Sequence, residues 1–169
     1  MPDNKIFEAM IENQLTDLLE QSKDASKFTP LEAKLIPLVV ERIREFPNPE
    51  ERQKRANNYT LEVEIYVSLL ECCDSAEQYS KKGYSPLNSN VPQDSDYARL
   101  NDKKLQELTK IGIVQLTNAK LRKTTMLEVW EDDKIISNNP LEEQRFWPIY
   151  RITEEGKAIL EEHRKIKEK

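Results

Sequence analysis

Residues 146–157, "FWPIYRITEEGK", change their period in mid-stretch. The first seven alternate as a half-buried strand does, and from Thr153 onward the spacing becomes helical. Thr153 is a good helix cap, and Gly156 stands in the first helical turn. A glycine at that point allows close approach, because it has no Cβ. The chain has only two other glycines, Gly83 and Gly112. They lie too far apart to build a phosphate-cradling loop or a dinucleotide fingerprint, so those chemistries are excluded.

The rest of the chain reads mostly as helix. Ile6, Phe7, Met10, Ile11, Leu15, Leu18 and Leu19 form one apolar stripe, with Asp3 or Asn4 as cap. Thr29, Pro30 and Glu32 spell a capping box with proline at the first helical position. That helix is predicted to run toward Phe46, bend near Pro37 and stop at Pro47-Asn48-Pro49. Residues 60–73 alternate at Val63, Ile65 and Val67 as a strand would. They also place Leu61, Ile65, Leu69 and Cys72 on a helical face with Thr60 as cap, and their length favours helix. Residues 74–98 read as loop with one short helix near 75–81. A further helix is predicted over 100–112: Asn101 as cap, Asp102 at the positive dipole end, a Leu100–Leu105 staple, and Gly112 closing it. Strands are predicted at 113–116, 124–130 and Phe146–Ile152, with 134–137 as a candidate fourth. The last helix turns Ala158, Ile159, Leu160 and Ile166 inward.

The charge distribution is uneven. Of the 169 residues, 26 are Lys or Arg and 31 Asp or Glu, a net of −5. Residues 99–123 reverse the sign, with 7 basic (Arg99, Lys103, Lys104, Lys110, Lys120, Arg122, Lys123) against 2 acidic (Asp102, Glu107), a net of +5. A basic window in an acidic protein orients it toward phosphates. No apolar run is long enough to cross a bilayer, and the first residues do not read as a signal peptide, so a cytoplasmic location is expected. Cys72 and Cys73 read as core residues. His163, the only histidine, reads as solvated surface, which leaves neither a histidine triad nor a zinc site. Glu131-Asp132-Asp133 and Glu142-Glu143 read as solvating runs. No enzyme activity, cofactor, metal or small-molecule ligand is expected.

Leu105, Leu108 and Gly112 ("L-x-x-L-x-x-x-G"), then strands, then Tyr150, Ile152, Thr153 and Gly156 ("Y-x-[LI]-T-x-x-G"), resemble the winged-helix superfamily of helix-turn-helix DNA-binding proteins. The resemblance covers residues 60–166 and names no subfamily. It implies a mainly α chain with a small antiparallel sheet (α+β), a winged helix-turn-helix over residues 59–169 with an extended wing, and a helical region over 1–58. It also implies a reading helix at 100–112, a hairpin wing, and Tyr150 and Ile152 in the core. The aromatics Trp130, Phe146 and Trp147 then belong to the sheet core. Lys103, Gln106 and Lys110 point away from Leu105 and Leu108, toward a major groove, and Arg99 joins them if the helix starts earlier. Lys120, Arg122 and Lys123 would lie on the wing. The expected function is sequence-selective binding of double-stranded DNA, as a dimeric transcription regulator. The amino-terminal stripe and the last helix would form the dimer interface. The alternative is a winged-helix module that binds protein instead.

Overall fold

The computed structural model describes residues 2–79, 83–86, 96–123, 127–132, 134–137 and 146–168. Its elements are α1 (Pro2–Gln21), α2 (Pro30–Arg44), α3 (Pro49–Asn57), α4 (Tyr59–Tyr79), α5 (Asp96–Lys110), β1 (Val114–Lys123), β2 (Leu127–Glu131), β3 (Lys134–Ser137), β4 (Phe146–Ile152) and α6 (Glu154–Lys167). The fold is α+β, mostly helical with one antiparallel sheet. Two compact units divide it: Met1–Ser68 with Ala158–Lys169, and Leu69–Lys157. The division falls within α4 and α6, whereas the sequence suggested a boundary at 58/59.

In the first unit the capping box forms as written. Thr29 Oγ1 accepts from the Glu32 amide, and Glu32 Oε1 accepts from the Thr29 amide at 2.9 Å. Pro37 lies inside α2, which runs on to Arg44. Leu35, Ile36, Val39 and Val40 of α2 are buried, as are Ile11, Leu15 and Leu18 of α1. The expected single stripe of α1 therefore splits: those three face inward, while Ile6 and Met10 are exposed.

Asn48-Pro49, read from the sequence only as a stop, also starts a helix. Asn48 Oδ1 accepts from the Glu50 and Glu51 amides, and Pro49 takes the first helical position. Ala56 alone is buried in α3, so apolar burial contributes little there. Polar contacts supplement it. Arg55 pairs with Glu51 at 2.9 Å and with Glu62 at 2.8 Å, and its guanidinium lies 4.1 Å from the centre of the Phe46 ring. Gln14 and Gln53 share amide hydrogen bonds with Asn57 that tie α1 to α3.

Three further expectations in this unit are overturned, the first being the inward set of α6: Ile159 and Leu160 are buried, but Ala158 is exposed and Ile166 is 44% exposed. His163 is not solvated: it is 9% exposed, and its Nδ1 lies 2.8 Å from Thr29 Oγ1. The cap of α2 thus also serves α6, a pairing between residues 134 apart that no local pattern announces. Burial alone would raise the Glu32 carboxyl, yet the Thr29 amide and Lys167 outweigh it and hold it below its usual range. The face of α4 is also different. Leu61 is 58% and Ile65 40% exposed, while Val63 and Tyr66 are buried. Thr60 lies within the helix, which begins at Tyr59.

In the second unit α4 continues through Leu69, Leu70 and Cys73, all buried, to Tyr79, so the short helix expected near 75–81 is its continuation. Cys72, expected in the core, is exposed, Cys73 is buried, and neither forms a disulfide. The sheet order is β3-β2-β1-β4, every pair antiparallel. β1 is longer than the predicted 113–116. It pairs with β4 in two stretches separated by an irregularity between Leu116 and Lys120. There the Thr117 hydroxyl donates to the Ile149 carbonyl at 2.8 Å, which supplies a partner the ladder lacks. Pro148, without an N–H, sits beside the irregularity on an edge strand, where a proline costs the ladder least. Tyr84 exchanges both backbone hydrogen bonds with Tyr150, at 2.8 and 2.7 Å. Of the predicted segments, residues 80–81, 124–126 and 138–145 lie outside those described.

One junction fixes the end of α5 against the end of β4 and the first turn of α6. Gly112 ends α5 at φ +81°, a left-handed conformation that glycine adopts without strain. The Thr153 amide donates to the Ile113 carbonyl at 3.1 Å, and its hydroxyl donates to the Gly112 carbonyl at 2.7 Å. The same hydroxyl accepts from the Gly156 amide at 3.0 Å. A Cβ on Gly156 would strike the Ile113 carbonyl oxygen and come within 2.8 Å of the Ile152 side chain. Gly156→Ala is therefore expected to lower unfolding stability by about 1–3 kcal/mol in urea titration, as overpacking against backbone does. An unchanged midpoint would contradict this close approach.

Candidate nucleic-acid interface

The basic window occupies α5 and β1. Because α5 begins at Asp96 rather than at Asn101, Asn101 falls within the helix and is 4% exposed. Lys104 follows it inward at 2%, beside the fully buried Leu105 and Leu108. The buried side of α5 thus holds polar residues as well as the predicted leucines. Leu100, expected in an apolar staple, is 41% exposed instead. The early start also has the consequence foreseen for Arg99, which joins Lys103, Gln106 and Lys110. All four are exposed, at spacings of 4, 3 and 4 residues that keep them on one side of a helix.

Lys120 on β1 is exposed. Arg122 and Lys123 belong to the same strand, paired in register with Glu128 and Leu127 of β2. Their side chains lie outside those described, as do the side chains of Trp130, Phe146 and Trp147. Tyr150 is buried in the second unit at 2% exposure, and Ile152 with it.

Asp102 does not sit at the helix start where the dipole would favour it. One of its oxygens accepts from the Tyr150 hydroxyl at 2.7 Å, and the other from Gln106 Nε2 at 3.0 Å. Asp102 and Gln106 are four apart, a spacing that a helix makes into neighbours. The link to Tyr150 spans 48 residues and leaves no local mark in the sequence. Burial first, then the bond to Asp102 and its charge, push the Tyr150 phenol well above the ordinary tyrosine value.

Among the described residues no group of three or more His, Cys, Asp or Glu gathers as a metal site would. No helix among them is long and apolar enough to cross a membrane. Comparison with known proteins finds no matching family model, no matching curated protein and no matching solved structure.

The geometry predicts that Tyr150 stays protonated at a pH where exposed tyrosines ionise. In an ultraviolet difference titration, Tyr150→Phe should match the wild type through the ordinary tyrosine range and lose signal only above it. Loss of signal within that ordinary range would contradict the assignment.

Proposed function

We propose that this chain is a cytoplasmic, sequence-selective double-stranded DNA-binding protein of the winged-helix kind, acting as a dimeric transcription regulator. In this reading α5 enters the major groove and presents Arg99, Lys103, Gln106 and Lys110. Lys120, Arg122 and Lys123 of β1 contact the backbone as part of the wing. The observation that carries it is the single exposed face of α5: three cations and one amide, opposite a side that is buried. Gln106 is the group on that face suited to base edges, whereas the lysines and Arg99 suit phosphates and guanine. The acidic remainder of the chain, which brings the total to −5, would turn this face toward a polyanion.

The test is a shift assay on duplex DNA across a salt series. Wild type should bind with an affinity that falls steeply with salt. Lys103→Glu with Lys110→Glu should abolish binding while the circular dichroism stays native, because both side chains are exposed. Lys120→Ala should weaken all sequences alike and flatten the salt slope by about one unit. A folded wild type with no salt-dependent affinity for any duplex would overturn the reading in favour of an acidic protein partner for the same face.

Dimerisation is the second part of the proposal. It is supported by Ile6 and Met10, large apolar side chains exposed one turn apart on α1. Light scattering should give twice the chain mass for the wild type and the single mass for Ile6→Glu/Met10→Glu. A monomeric wild type would remove the dimer and leave DNA binding standing.

A further inference from the structure

The exposed face of α5 carries one side chain whose orientation is set from behind. Gln106 Nε2 donates to Asp102, and Asp102 is held in turn by the Tyr150 hydroxyl. Tyr150 is itself fixed on three sides: its side chain is buried, its backbone pairs with Leu116 of β1, and its N–H and C=O pair with Tyr84. A carboxylate offers only acceptors, so the amide of Gln106 must turn its NH2, and not its carbonyl, toward Asp102. The phenol adds to the same bias. Its own hydrogen is committed to Asp102, so toward Gln106 it can only accept. Both neighbours therefore demand donors, and the Gln106 carbonyl oxygen is the group left for the solvent side.

We propose that Tyr150 and Asp102 are positioning residues that hold Gln106 with its carbonyl outward, so that α5 presents a fixed hydrogen-bond acceptor at that place. The inference rests on the DNA-binding reading above. In the major groove, adenine and cytosine offer an exocyclic amino donor, whereas guanine and thymine present acceptors at the corresponding positions. A glutamine free to turn could serve either set. One locked by Asp102 selects adenine or cytosine on the strand it faces. The specificity at this base pair thus originates in β4, in a residue that never reaches the DNA.

The experiment uses the full-length chain and a duplex selected from random sequence, then permuted at each position in turn. Wild type should show one position where adenine or cytosine is preferred over guanine and thymine by roughly 5- to 150-fold. Gln106→Ala should erase that preference. Tyr150→Phe and Asp102→Ala should each reduce it to about twofold or less while Gln106 is still present, with the salt slope unchanged. In the Gln106→Ala background, Tyr150→Phe should change discrimination no further, which a merely structural role would not give. Asp102→Ala, at a half-buried site, decides the matter if Tyr150→Phe does not fold. If both variants fold and keep the wild-type preference, positioning is wrong and the DNA reading stands. If wild type binds duplexes but prefers guanine or thymine at the position Gln106 reads, the outward carbonyl is wrong. If wild type binds no duplex, the DNA reading fails and takes the inference with it.

Discussion

The contact between Gly156 and the Ile113 carbonyl is the constraint on which the carboxyl half is built. It joins the end of α5, the start of β1, the end of β4 and the start of α6 within a few residues. Thr153 closes the joint in three ways at once, donating from its amide and its hydroxyl and accepting from Gly156. Each such bond contributes only about 0.5–1.5 kcal/mol net. Their value lies in geometry: they set the angle at which α5 leaves the sheet. The exposed face of α5 is therefore aimed by an arrangement at its far end. The chain uses two glycines, Gly112 and Gly156, and one threonine to achieve it.

Features written in adjacent residues could be read directly. The Thr29 capping box, the glycine ending at Gly112, the Thr153 cap and the strands at Lys134–Ser137 and Phe146–Ile152 all depend on chemistry within four or five positions. The outward side of α5 was legible for the same reason, since Leu105 and Leu108 fix the helical phase. What could not be read depends on distant partners. Asn48-Pro49 is ambiguous because the same pair can end one helix and open the next, and what decided it was Arg55 reaching Phe46, Glu51 and Glu62. In α4 two apolar faces compete, Leu61/Ile65 and Val63/Tyr66, and only the packing chooses. Asp102 was correctly placed in the helix but given the wrong neighbour, because Tyr150 lies 48 residues away.

Buried polar residues account for some of the corrections. Asn101, Lys104 and His163 each carry a polar group into an environment where an unpaired one costs a few kcal/mol. Pattern reading assigns such residues to solvent, since that is where they are found most often. His163 shows how the exception arises. The Thr29 hydroxyl was already committed at a helix start, and its remaining capacity supplies the partner that lets an imidazole be buried.

The pairing of Tyr84 with Tyr150 has a bearing on how the protein behaves at high concentration. β4 is the outermost strand on its side of the sheet, and an outermost strand with unmet N–H and C=O groups invites a strand from another molecule. Tyr84 occupies both groups at Tyr150, near the middle of that strand. Gly83 makes this possible, because a Cβ there would run into the Tyr150 carbonyl. Pro148 withholds a further donor from the same strand. A single bridging residue and a proline thus deny intermolecular β-pairing a continuous template, and keep the strand that carries Tyr150 from seeding aggregates.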